Sequence, residues 1–139
     1  PNHFHFLFRQ KADNGISTFI SNFTNTFTKY FNTKCQRLGP LFEGVFKAVF
    51  VESDEQLIHL SRYIHLNPVA SSIVNNNQLV DYKWSSYSAY LSLSKDNKII
   101  LDRETVLSFF KNSKQYEKFV LDQADYGKQL EKIKHLTLE

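Results

Sequence analysis

The sequence has no methionine, one cysteine, one tryptophan, three prolines and four glycines. A lone thiol, Cys35, cannot close an intrachain disulfide, and no cysteine cluster offers a zinc ribbon, so a reducing, cytoplasmic setting is expected. No apolar run approaches membrane-spanning length and nothing resembles a signal peptide, which argues against a membrane partner. The missing methionine suggests a chain that lacks its natural start. A net charge of +3 is compatible with a polyanionic partner but is too small to identify one. At 139 residues the chain suits one domain with a modest core. What it has in abundance is aromatic surface: thirteen Phe and seven Tyr, most of which must pack.

The first stretch, Pro1-Asn2-His3-Phe4-His5-Phe6-Leu7-Phe8, sets two histidines around one phenylalanine in an apolar run. On a β-strand His3 and His5 share one face and Phe4, Phe6 and Phe8 the other. Two adjacent imidazoles are half of a divalent-metal site. Arg9 has the same parity as the histidines and joins their face if the strand runs that far.

Further on, Ser53 with Gln56 forms a capping-box pattern, and Asp54 and Glu55 occupy the first turn, where the helix dipole favours negative charge. The spacing predicts a helix with Leu57, Leu60, Ser61 and Ile64 toward the core, ending near Asn67 because Pro68 cannot continue the hydrogen bonding. Tyr63 and Asn67 are four apart and hence neighbours on one face. His59 lies one turn earlier and offers a substitute ligand. A tyrosine oxygen can displace an ester of a metal-polarised phosphodiester, so this juxtaposition has a chemical use.

Elsewhere, Asn14-Gly15 marks a turn. Ile16, Phe19, Ile20, Phe23, Phe27, Tyr30 and Phe31 recur at helical spacing to about Arg37, a stripe expected to pack on a sheet. Leu38-Gly39-Pro40 breaks that helix, and residues 42–51 read as a strand or hairpin arm. Residues 69–74 suggest a short helical turn and Asn75-Asn76-Asn77 a polar loop. Asp102 is a plausible N-cap for a helix through Phe110, Ser113 for another bearing Tyr116, Phe119 and Val120, and residues 126–139 suggest a frayed helical tail. Trp84 and Tyr87 offer stacking surfaces for single-stranded DNA, although locking their segment onto the core is the simpler role. Arg9 and Arg62, near the proposed site, and Lys29, Lys34, Arg37 and Lys47 are candidate DNA contacts, with solvated surface charge the default for the last four.

Four motifs, PNHFHFLF, LFEGVFKAVFVE, RYIHLNPVASSIV and DYKWSSYSAY, together resemble, in order and spacing, the REP-associated tyrosine transposases. These are HUH single-strand DNA endonucleases with one catalytic tyrosine. The resemblance covers about residues 1–90, then loosens. It implies His3 and His5 as the histidine pair, Tyr63 as nucleophile and Asn67 as the third metal ligand, at a position often glutamine in related enzymes. It implies an α/β (α+β) fold, a ferredoxin-like antiparallel sheet with helices packed on it, here lacking the strand, helix and strand that precede the histidine motif in that family. Residues 1–95 would be the partial catalytic domain and 96–139 its helical C-terminal extension. The implied cofactor is Mg²⁺ or Mn²⁺, the partner single-stranded DNA in imperfect hairpins, the state monomer or homodimer, and the setting bacterial and nucleoid-associated. The implied reaction joins Tyr63 to a 5′ phosphate and leaves a 3′ hydroxyl. Two other classes stay open: a non-catalytic DNA-hairpin binder, and a metal-dependent hydrolase in which Tyr63 only orients substrate.

Overall fold

The computed structural model describes residues 3–92 and 101–122, together with Tyr126 and Leu130. It comprises two compact units, a larger one of Pro1–His5 with Val49–Glu139 and a smaller one of Phe6–Ala48. Among the described residues every regular element is helical and no strand forms.

That overturns the expected ferredoxin-like sheet and the strand–helix–strand–helix order. Alternating side chains report the direction of Cβ atoms, whereas a strand also needs a neighbour for its backbone groups. Residues 3–11 keep the alternation without the pairing: His3 contacts His5, and Phe6 contacts Phe8. The run 42–51 is interrupted by Gly44, whose φ of 74° lies in the left-handed region and ends any extended segment there. Val45 and Phe50 within it are over 80% exposed, so no face of that run is buried.

The smaller unit is organised by helix α1, Gly15–Cys35. Asn14, in the left-handed conformation, turns the chain into it, and the Ile16 amide donates to Gln10 Oε1 at 3.3 Å. At its other end Gln36 is left-handed at φ 50°; the Arg37 amide reaches back to the Asn32 carbonyl at 3.0 Å, a Schellman closure. Arg37 reinforces it, donating to Asn32 Oδ1 and to the Pro40 carbonyl. The aromatic stripe of α1 does not form a sheet-covered core: Phe19, Phe27 and Tyr30 are 40–57% exposed, and Ile20 is the one buried side chain of the helix.

The larger unit is built around helix α2, Asp54–Ala70. Ser53 caps it as the sequence indicates, its Oγ accepting from the Gln56 amide at 3.2 Å. The helix runs past Pro68 rather than stopping at Asn67. A proline in the last turn forfeits only one intrahelical bond, and the Pro68 carbonyl then accepts from the Ile73 and Val74 amides. Residues 76–81, of which Asn76 and Asn77 are expected in a polar loop, form a 3₁₀ turn, started by the Asn75 amide donating to Gln78 Oε1 at 3.0 Å. Helix α3 is Tyr87–Tyr90 and α4 is Glu104–Leu107.

Asp102 does cap α4, accepting from the Thr105 amide and hydroxyl, but α4 ends well short of Phe110. Helix α5, Ser113–Leu121, is capped by Asn112 rather than Ser113: its Oδ1 accepts from the Gln115 amide at 2.9 Å. The tail suggested for 126–139 lies outside the described residues save Tyr126 and Leu130. Helices α4 and α5 pack on α2, closing a core of Leu66, Leu79, Tyr87, Tyr90, Val106, Tyr116 and Val120. Each fully buried apolar side chain contributes about 1.5–3 kcal/mol. No helix among the described residues is long and apolar enough to cross a membrane.

Candidate functional site

Helix α2 presents Tyr63 on the side that meets the N-terminal histidines. The His3 and His5 rings lie edge to face, centroids 4.9 Å apart and planes at 83°. The His5 ring in turn meets Tyr63 at 5.6 Å and 76°. One turn along α2, Asn67 Nδ2 donates to the Tyr63 hydroxyl at 3.4 Å, and Asn67 Oδ1 accepts from Ser71 Oγ at 3.5 Å. His3, His5, Tyr63 and Asn67 thus form one continuous chain of contacts within the larger unit. His3 is exposed, His5 and Asn67 are half-buried, and Tyr63 is buried at 4% exposure.

The donor chemistry suits a borderline divalent cation. Two imidazoles would supply nitrogen and the Asn67 carboxamide an oxygen, a set that would favour Mn²⁺ over Mg²⁺. Among the described residues no group of three His, Cys, Asp or Glu side chains could hold a metal. A third ligand beside the histidines would therefore come from outside those residue types, as an asparagine would. His59 is committed elsewhere, its Nδ1 lying 3.0 Å from Arg62 Nη2.

The other candidates divide sharply. Arg62 is not a surface residue: it is fully buried, Nη1 donating to the Phe119 carbonyl at 3.1 Å and the guanidinium stacking 4.2 Å from the Phe119 ring centroid. It immediately precedes Tyr63 in sequence but points into the α2–α5 packing. Tyr87 is likewise a core residue at 2% exposure, and burial with the nearby Glu117 carboxylate pushes its hydroxyl up to about 12. Trp84 is the opposite case, 80% exposed and contributing little to any core. Arg9 and Lys47 are exposed and belong to the smaller unit, as do Lys29, Lys34 and Arg37.

A polar network that the sequence did not announce lies inside the larger unit. Ser61 Oγ is 2.7 Å from the Tyr116 hydroxyl, which is 2.7 Å from His65 Nδ1, and His65 Nε2 is 2.9 Å from Ser86 Oγ. Protons can be placed along it in either direction with one per bond, so every member is satisfied in both. Burial holds the His65 imidazole down to about 3 and pushes the Tyr116 hydroxyl up. His65 is therefore a neutral structural residue with both nitrogens engaged, not a ligand. The available signal was its spacing: Ser61 and His65 are one turn apart on the core face of α2, placed to share a partner.

No protein-family model, curated protein or solved structure matches the chain.

Proposed function

We propose that the protein is a metal-dependent single-stranded DNA endonuclease and strand transferase of the HUH type, acting on hairpin-associated sites with Tyr63 as nucleophile. The single observation that carries this reading is the contact chain from His3 through His5 to Tyr63 and Asn67. It joins a histidine pair and a tyrosine that are far apart in sequence. A divalent cation held by His3, His5 and Asn67 would withdraw charge from a non-bridging phosphate oxygen.

The chain's own groups do the rest. Asn67 Nδ2 donates to the Tyr63 oxygen, which orients the hydroxyl and stabilises the phenolate as it forms. The Tyr63 hydroxyl gives up its proton to solvent as its oxygen attacks phosphorus, the P–O3′ bond breaks, and the departing 3′ oxygen takes up a proton from solvent. The product is a 5′-phosphotyrosine linkage that a 3′ hydroxyl can reverse, so strands are rejoined with no external energy source. Trp84 supplies a face on which a base can stack.

The alternative reading, a DNA-hairpin-binding protein without chemistry, draws on the burial of Tyr63. A denaturing gel separates the two. Incubation with Mn²⁺ and a labelled single-stranded hairpin should give a covalent adduct from the parent chain and from Tyr30→Phe, and none from Tyr63→Phe. Hairpin binding with no adduct from any chain would select the binding protein. Cleavage without adduct would make Tyr63 a positioning group in a hydrolase.

A further inference from the structure

Helix α1 is hard to account for as a free-standing element. Its 21 residues include five Thr, three Asn and two Ser but no Ala, Leu, Met, Glu, Gln or Arg, so the residues that favour helix most are nearly absent. A helix of such composition is marginal in water and owes its stability to burial of one face. Yet Ile20 is its one buried side chain.

The face that asks for cover is plain. Phe19, Phe23, Phe27 and Phe31 recur every fourth residue, successive ring centroids 6.2 Å apart and planes within 27° of parallel. Phe8 extends the row by contacting Phe19 at 5.1 Å. Phe8, Phe19, Phe27 and Tyr30 keep 39–57% of their surface exposed.

We infer that this ladder is a self-association surface, on which α1 of a second copy packs antiparallel. Area and charge both favour that occupant. Aromatic side chains carry roughly 150–250 Å² each, so the exposed fractions of these rings, with Phe6 and the half-buried Ile16, Phe23 and Phe31, offer about 500 Å² per copy. A pair of such faces reaches the ~1,000 Å² expected of a specific interface.

Charge selects the direction. The first fourteen residues of α1, up to Thr28, carry no charged side chain, whereas Lys29 and Lys34 lie in its last two turns. The smaller unit has six basic residues against Asp13 and Glu43, a net +4. A parallel pair would set Lys29, Lys34 and Arg37 against their own copies. An antiparallel pair sets each basic end against the uncharged half of the other helix. The inference does not depend on the role of Tyr63.

Light scattering of the full chain at tens of micromolar should give twice the chain mass, with helical ellipticity rising as concentration rises. Phe19→Asp with Phe27→Asp should return it to monomer. A spin label on Cys35, the chain's one cysteine, gives the direction without a core substitution. Taking the centre of the ladder as the pairing point, antiparallel helices put the two labelled backbones about 30 Å apart, and parallel helices about 10 Å apart. A 30 Å distance lost in the double variant supports the proposal. A monomer overturns it, as does a short label distance or a dimer that survives both substitutions. A monomer that binds a twenty-nucleotide dT strand through Phe19 and Phe27 also overturns it, and makes the ladder a nucleic-acid platform.

Discussion

His65 Nδ1 and the Tyr116 hydroxyl lie 2.7 Å apart in the core of the larger unit, and Ser86 Oγ takes the other imidazole nitrogen at 2.9 Å. A protonated imidazole has two N–H donors and no acceptor. Charging the ring would therefore fix the hydroxyl protons in one arrangement and place a buried cation with little solvation.

Stability should consequently fall with acid. The folded imidazole titrates at about 3, below its ordinary 6.5, so the unfolded chain binds the extra proton between those values. The contribution is complete above pH ~6.5 and is lost as pH falls toward ~3, by about 1.4 kcal/mol per unit at the steepest. Urea midpoints at pH 7.5 and 5 should separate by more in the parent than in His65→Gln. Equal slopes would show that His65 is not the group that charges.

Arg62→Ala should be among the most damaging single changes, costing about 3 kcal/mol or more, because it leaves the Phe119 carbonyl and His59 Nδ1 without that donor and opens a cavity. Arg62→Lys should rescue little, since a point charge cannot reach both acceptors and stack on Phe119. Denaturant unfolding of both variants tests this. Loss of DNA affinity with unchanged stability would return Arg62 to the surface role suggested by sequence.

Trp84→Ala should leave stability within about 0.5 kcal/mol, as exposed substitutions do. On the proposed function it should weaken single-strand binding by about 1–3 kcal/mol, the worth of one stacked base. Because Trp84 is the sole tryptophan, its fluorescence reports directly on an added oligonucleotide. Emission unmoved at saturating DNA would remove it from the interface.

Replacing both His3 and His5 with alanine should abolish Mn²⁺ uptake measured by calorimetry and, with it, adduct formation. Hairpin affinity should fall far less, because phosphate contacts and stacking provide most of it. Metal uptake unchanged in the double variant would make the pair a packing element beside Tyr63.

The helix bearing Tyr63 was legible because its signals are local: a serine cap, acidic first turn and i, i+4 spacing each act within one turn. The His3–His5 adjacency was legible for the same reason. The sheet was not, since backbone pairing depends on a neighbour that period-two alternation does not supply, and Gly44 interrupts the second run. Burial of Arg62 and His65 was hidden because polarity ordinarily marks the surface. Their partners, the Phe119 carbonyl and Tyr116, lie more than fifty residues away. Pro68 misled in the other direction, as a proline in a last turn costs less than one in a helix interior.

The two long helices differ in what an opening fluctuation must break. Eight side chains of α2 are buried, against one of α1. Amide protons of α2 should then exchange only when the larger unit opens as a whole, while those of an uncovered α1 escape through local fraying. Tyr63 should accordingly ride on the slowest-exchanging backbone of its unit. Its position relative to Asn67 should be held through the fluctuations that loosen less buried segments, as the proposed nucleophile would require of its support.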